Sequence, residues 1–301
     1  MMRKRLTWMV TIALSIGLLM PISGHGEDAY EPPMEQYGAA AVTPEQRELI
    51  EAALPTSAPA EPKEPRKLLV VDLNIGRGGH PSIPHANYAV ARMGEITGAY
   101  EATISHDQSM LDPENLHQFD ALYLNNTIGP LFDTPERQQG LLTFLEQGGG
   151  LIGNHAVTVT STEWEEFGYI IGARGTWHRD PDEVVTVRVD DPDHPVNAVF
   201  GGESFELIDE FFRFDTPPYS RDNVHVLISI DPELTDMHQG PETHGVIRED
   251  DDYPISWVHE YKGGRVFYTS LGHNPHIFWD ERILTHFLAG IQYALGDLDA
   301  E

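Results

Sequence analysis

The sequence predicts an α/β protein with a mostly parallel central sheet and helices on both faces, in a single domain over residues 67–298. Three observations predict it. Short continuous apolar runs, such as KLLVVDL at 67–73 and ALYLN at 121–125, have the pattern of strands buried on both faces. Helical stretches with recognisable caps stand between them, and that alternation implies βαβ units. Glycine- and asparagine-rich turns follow the strands, at the edge where open α/β sheets hold their ligands.

The elements follow in chain order. Arg3, Lys4 and Arg5 precede an apolar run at 7–20, then Pro21, Ser23, Gly24 and Gly26. This is the layout of a secretory signal over residues 1–26, so the protein is expected to be periplasmic or secreted. The run is short for a spanning helix, and no stable membrane insertion is expected once the signal is removed. Residues 27–66, rich in Pro, Ala and Glu, read as an extended linker. Within them Thr43, Pro44 and Gln46 suggest a capped short helix at 43–54.

The domain opens with the strand at 67–73, a glycine-rich loop at 74–80 and a helix at 85–97, where Ala89, Met93 and Ile96 recur at helical spacing. Strands follow at 100–105 and around 121–125. A helix at 134–147 has Thr134 as cap and Pro135 in its first turn. A short strand at 151–153 runs into Asn154 and His155. From Glu183 the pattern changes: 183–189 alternates as a half-buried strand does, and 224–230, 256–259 and 265–270 are strand-like. A helix at 283–295, ended by Gly296, closes the domain.

Composition removes several functions. The 301 residues contain no cysteine, which excludes disulfides, thiolate nucleophiles and cysteine-ligated zinc. Acidic residues outnumber basic ones by 48 to 19, a formal charge of −29. Such a surface repels nucleic acid and anionic lipid, and suits solubility and a neutral polar ligand or a cation. A homo-oligomer is compatible with the sequence.

Histidines at strand ends mark the candidate site. GGGLIGNHA at 148–156 places His155 where a nucleophile elbow carries its tip residue, and TSLGHNPHIFW at 269–279 places His273 at the end of another apolar strand. Parallel strands in one sheet would bring both imidazoles to one rim, as acid, base, metal ligand or hydrogen-bond donor. GTWHRDPDE at 175–183 adds Trp177 and His178 in a lid-like loop, with Trp177 as a ligand-binding residue, while Trp279 either packs under a loop or offers a ring for sugar stacking. FELIDEFFRF at 205–214 adds Asp209 and Glu210, which would orient an imidazole, exchange protons or pair with Arg213. His80 and His85 follow the first strand and would line the cleft; Asn126 and Thr127 end the third and would bond ligand hydroxyls. The loop at 74–89 is not a G-x-G-x-x-G dinucleotide cradle. No cofactor is expected; a divalent metal such as zinc, held by scattered histidines with Asp209 or Glu210, stays open.

KLLVVDL, GGGLIGNHA, DHPVNAVF with the following Asp–Glu pair, and YKGGRVFYTSLGHNPHIFW together resemble the ThuA-like (trehalose utilisation) family over nearly the whole chain after residue 66. The resemblance implies a flavodoxin-like sandwich like that of class I glutamine amidotransferases, without their cysteine nucleophile. It also implies a link to trehalose and related sugars, with His155, His178, Asp209, Glu210 and His273 as candidate catalytic positions. The expected function is therefore acid–base chemistry on a sugar or glycoside derivative, keto-sugar processing being one form of it. A non-catalytic carbohydrate-binding protein and a zinc-dependent hydrolase are the alternatives.

Overall fold

The computed structural model describes residues 41–239 and 247–300. The expected signal and the first part of the proline-rich stretch lie outside the described residues. The strands are β1 (Lys67–Val71), β2 (Glu101–Ser105), β3 (Ala121–Asn125), β4 (Gly150–Asn154), β5 (Gly175–His178), β6 (Glu183–Val189), β7 (Phe205–Asp209), β8 (Phe212–Phe214), β9 (His225–Ile230), β10 (Pro254–Tyr261) and β11 (Gly264–Thr269). The helices are α1 (Pro44–Ala53), α2 (Ile83–Thr97), α3 (Pro113–Leu116), α4 (Pro135–Glu146), α5 (Glu165–Ile171) and α6 (Glu281–Ala294).

Nine strands form one sheet in the order β2-β1-β3-β4-β11-β10-β9-β6-β7. The first five are parallel. Their order matches the 2-1-3-4-5 arrangement of flavodoxin-like folds, with β11 as the fifth strand. The remaining four continue antiparallel from β11. Successive residues of a strand face opposite sides, so each buried strand feeds two cores. Leu68, Val70, Tyr123, Ile152 and Phe267 pack with α1, α2 and α6 on one side. Leu69, Val71, Leu122, Leu124, Leu151 and Tyr268 pack with α4 and α5 on the other.

The helix signals are realised locally. Thr134 Oγ1 accepts from the Arg137 amide at the start of α4. At α1, Thr43 Oγ1 accepts from Gln46 N while Gln46 Oε1 accepts from Thr43 N, a reciprocal capping box. The stretch expected as a linker does not hang free from residue 43 onward. Ile50, Ala53 and Leu54 are buried in the core, Ala60 exchanges two hydrogen bonds with Gln292, and Arg66 forks onto the buried Asp297. The apolar face of α1 needed a partner, and α2 and the turn at Pro275–Trp279 supply it.

β5, β7 and β8 have no counterpart in the sequence reading. β8 spans three residues, and β7 turns Asp209, a carboxylate, inward where an apolar residue would have marked the strand. No described helix is long and apolar enough to cross a membrane.

Candidate active site at the carboxyl rim of the sheet

β4 and β11 are adjacent and parallel, with Asn154 opposite Thr269, so the residues that follow them leave the same rim side by side. His155 is the first residue beyond β4 and adopts φ +47°. That left-handed conformation costs a side-chain-bearing residue about 1–2 kcal/mol and is sustained by its surroundings. Tyr268 Oη donates to the His155 carbonyl at 2.7 Å, and His155 Nδ1 lies 2.9 Å from the Ser270 carbonyl. Beyond β11 the chain turns at Gly272, at φ +114°, where a Cβ would sit 2.7 Å from Asn154 Nδ2; only glycine fits. His273 follows. His80 arrives from the loop after β1. The three rings form a triangle with centroids 4.9 Å (His80–His155), 5.1 Å (His80–His273) and 5.2 Å (His155–His273) apart.

Two further groups come from outside the parallel strands. β5 and β8 pair antiparallel in a small separate sheet, with His178 opposite Phe212. Glu210, between β7 and β8, is thereby carried over the rim. Its Oε2 lies 3.0 Å from His178 Nδ1 and 3.7 Å from His273 Nε2, and its Oε1 lies 3.4 Å from His155 Nε2.

Hydrogen bonding and burial set the protonation states. A carbonyl only accepts, so Nδ1 of His155 carries the proton that meets Ser270. In the neutral ring Nε2 is then a bare acceptor. It is buried and has no hydrogen-bond partner in the protein, and neither has the buried Nδ1 of His80. Burial, and then the neighbouring rings, push the His80 imidazolium pKa down to about 3. Burial and His155 lower that of His273 as well, so both rings are neutral at neutral pH. The Glu210 hydrogen bond raises the pKa of His178. Burial pulls the Glu210 carboxyl up, but the surrounding imidazoles, with His178 as the proton-bearing partner, outweigh it and hold it well below the ordinary carboxylate range.

The remaining candidates occupy other positions. Asp209 is fully buried and accepts from the backbone amides of Gly272 (2.7 Å), His273 (3.3 Å) and Asn274 (2.9 Å). It clamps the turn that presents His273 and touches no imidazole nitrogen through those bonds; burial raises its pKa. Asn126 is sealed in, donating to the Gly272 carbonyl at 3.0 Å and accepting from Ala156 N at 3.4 Å, which ties the strand-end loops together. Thr127 meets Thr160 through their hydroxyls at 2.8 Å, also buried. His85 turns to the Pro81 carbonyl and lies edge-on to Trp279. Trp177 alternates with His178 along β5, so its ring, 40% exposed, faces the other side of that strand, where it lines a surface depression with Thr176, Phe214 and Arg248. Arg213 pairs with neither Asp209 nor Glu210: it forks onto buried Glu183 at 2.6 and 3.1 Å.

His80 and His85 both follow β1, and only His80 joins the cluster. It precedes Pro81 and the start of α2, so it stays in the loop, whereas His85 lies inside the helix. Glu183 escaped notice because it opens a strand that otherwise alternates.

The sequence profile of the ThuA (trehalose utilisation) family matches residues 67–294. No curated protein sequence matches the chain. Among solved structures, a ThuA-like protein of Bacteroides uniformis superposes with a TM-score of 0.63 at 22% identity, covering 78% of this chain and 93% of that one. A ThuA-like protein of Parabacteroides merdae gives 0.56 at 18% identity, covering 79% and 93%. At such identities the likeness speaks for the fold, and the profile match speaks for the family. The chain belongs to the ThuA family, linked to trehalose utilisation.

Proposed function

We propose that this protein is exported and acts on a neutral sugar or glycoside derivative by acid–base chemistry at the rim, with Glu210 and His178 handling the protons. The observation that carries the reading is the position of Glu210, whose two carboxylate oxygens lie 3.0–3.7 Å from ring nitrogens of three histidines. A carboxylate so placed takes a proton from a bound hydroxyl, an activated carbon or a water. The imidazolium of His178 returns one to the departing or developing oxygen, and the proton count balances over the cycle. No cysteine takes part, since the chain has none.

The sugar class is supported by family membership and by the net charge of −29, which disfavours an anionic substrate. Export is supported by the basic residues 3–5 and the apolar run after them.

A turnover screen of glycosides and 3-keto-glycosides tests the reading. Wild type is expected to convert at least one of them, and Glu210→Gln to lose about 10²- to 10⁴-fold in kcat, the usual contribution of a positioned proton-transfer group. Equal turnover in both proteins would remove Glu210 from the chemistry. Sugar affinity without turnover in wild type would leave a binding protein.

A further inference from the structure

We infer that His80, His155 and His273 form a binding site for one zinc-class divalent cation, with Glu210 beside the position left for substrate or water. Its chemical role rests on the reading above; the site itself stands on geometry.

Each of the three histidines offers a ring nitrogen, and the three atoms lie within 4.8 Å of one another. Among the described residues this is the one such group of three. A cation held by imidazole nitrogens at about 2.0–2.1 Å keeps tetrahedral ligands roughly 3.3 Å apart. The rings therefore need to close by about 1 Å or somewhat more, which side-chain rotation supplies.

The bonding pattern asks for a positive centre. His155 Nδ1 donates to the Ser270 carbonyl, so its Nε2 lone pair faces Glu210 Oε1 at 3.4 Å, acceptor against acceptor. The buried Nδ1 of His80 is a second nitrogen without a protein partner. A buried polar atom left unmet is destabilising. One divalent ion answers all three nitrogens and the charge of Glu210 together.

The surroundings also match a metal centre. A ligating histidine commonly has its other nitrogen fixed by a carbonyl, as Ser270 fixes His155, and the Asp209 clamp holds the turn that carries His273. Three neutral imidazoles with a fourth position free is a donor set that favours zinc over magnesium or calcium. The side chain of His273 is 20% exposed, which leaves a route in from solvent.

The test uses untagged full-length protein, stripped with chelator, dialysed and titrated with Zn²⁺ by calorimetry, with metal content measured after gel filtration. About one equivalent is expected in wild type, together with a rise in Tm. His80→Ala and His273→Ala, which alter partly exposed loop residues, should each lose tenfold or more in affinity. His225→Ala, which removes the exposed histidine paired with Asp191, should bind as wild type does. Co²⁺ should give the visible absorption of a four- or five-coordinate ion in wild type and lose it in His80→Ala. No stoichiometric binding in wild type, or equal affinity in His80→Ala and wild type, overturns the site. Zinc bound with the expected dependence but no sugar turned over supports the site and overturns the proposed function. Turnover that depends on Glu210 in a chain that binds no zinc does the reverse.

Discussion

His155 and His286 are both fully buried imidazoles, yet they have opposite surroundings. His286, in the middle of α6, uses both nitrogens. Nδ1 donates to the Val196 carbonyl at 3.1 Å, and Nε2 accepts from the Ser256 hydroxyl at 3.0 Å. His155 uses one nitrogen on Ser270 and turns the other toward two histidines and a carboxylate. The pairing in the core is complete, whereas at the rim Nε2 of His155 has no hydrogen-bond partner in the protein. Burial alone therefore does not separate these two histidines, whereas the state of the second nitrogen does.

The comparison breaks most directly at His286. His286→Ala opens a cavity and leaves the Ser256 hydroxyl and the Val196 carbonyl unmet, so a stability loss of about 3 kcal/mol is expected in urea unfolding. Turnover per folded molecule should stay at the wild-type level. Lost turnover with normal stability would place His286 in the chemistry and invert the argument.

A second test reads the same residue through pH. Burial pushes the pKa of His286 down to about 4 from the ordinary 6.5, so the folded state favours the neutral ring. Its contribution is complete above about pH 6.5 and declines as pH falls toward 4, because the unfolded chain takes up the proton first. The stability gap between wild type and His286→Ala should therefore narrow by roughly 2 kcal/mol from pH 7 to pH 4.5. His194, buried nearby and also lowered to about 4, contributes to both proteins and leaves the difference largely intact. A gap that stays constant across this range would mean that the ring titrates normally.

The smallest effect belongs to a polar pairing at the surface. Thr43→Ala removes one half of the α1 capping box and should cost about 1 kcal/mol. It should show first as faster proteolysis of the segment around residues 43–66, with metal and sugar binding unchanged. A change in either binding would mean that α1 communicates with the rim.

Much of the architecture was legible because local chemistry wrote it. KLLVVDL and ALYLN became β1 and β3, Thr43 and Thr134 cap the helices that they precede, and Gly296 follows the closing helix α6. His155 and His273 were legible as site residues because each follows a strand, and parallel strands share a rim. Which of the candidates meet one another was not legible where the partners lie far apart along the chain. Glu210 and His178 meet through the β5–β8 ribbon, which leaves almost no periodic signal. Asn126 looked like a ligand group at a strand end, and its amide instead bridges the loops around Gly272 and Ala156.

The amino-acid order by itself determined the class of fold, the acidic and cysteine-free character, and the delivery of two histidines to strand ends. These depend on periodicity, composition and capping, all of which act within a few residues. Tertiary structure alone decided that His80 rather than His85 completes the triangle, that Asp209 clamps backbone while Glu210 faces the rings, and that Arg213 goes to Glu183. Those outcomes turn on which partner stands within about 3 Å of a side chain once remote segments have packed, and no local pattern encodes that distance.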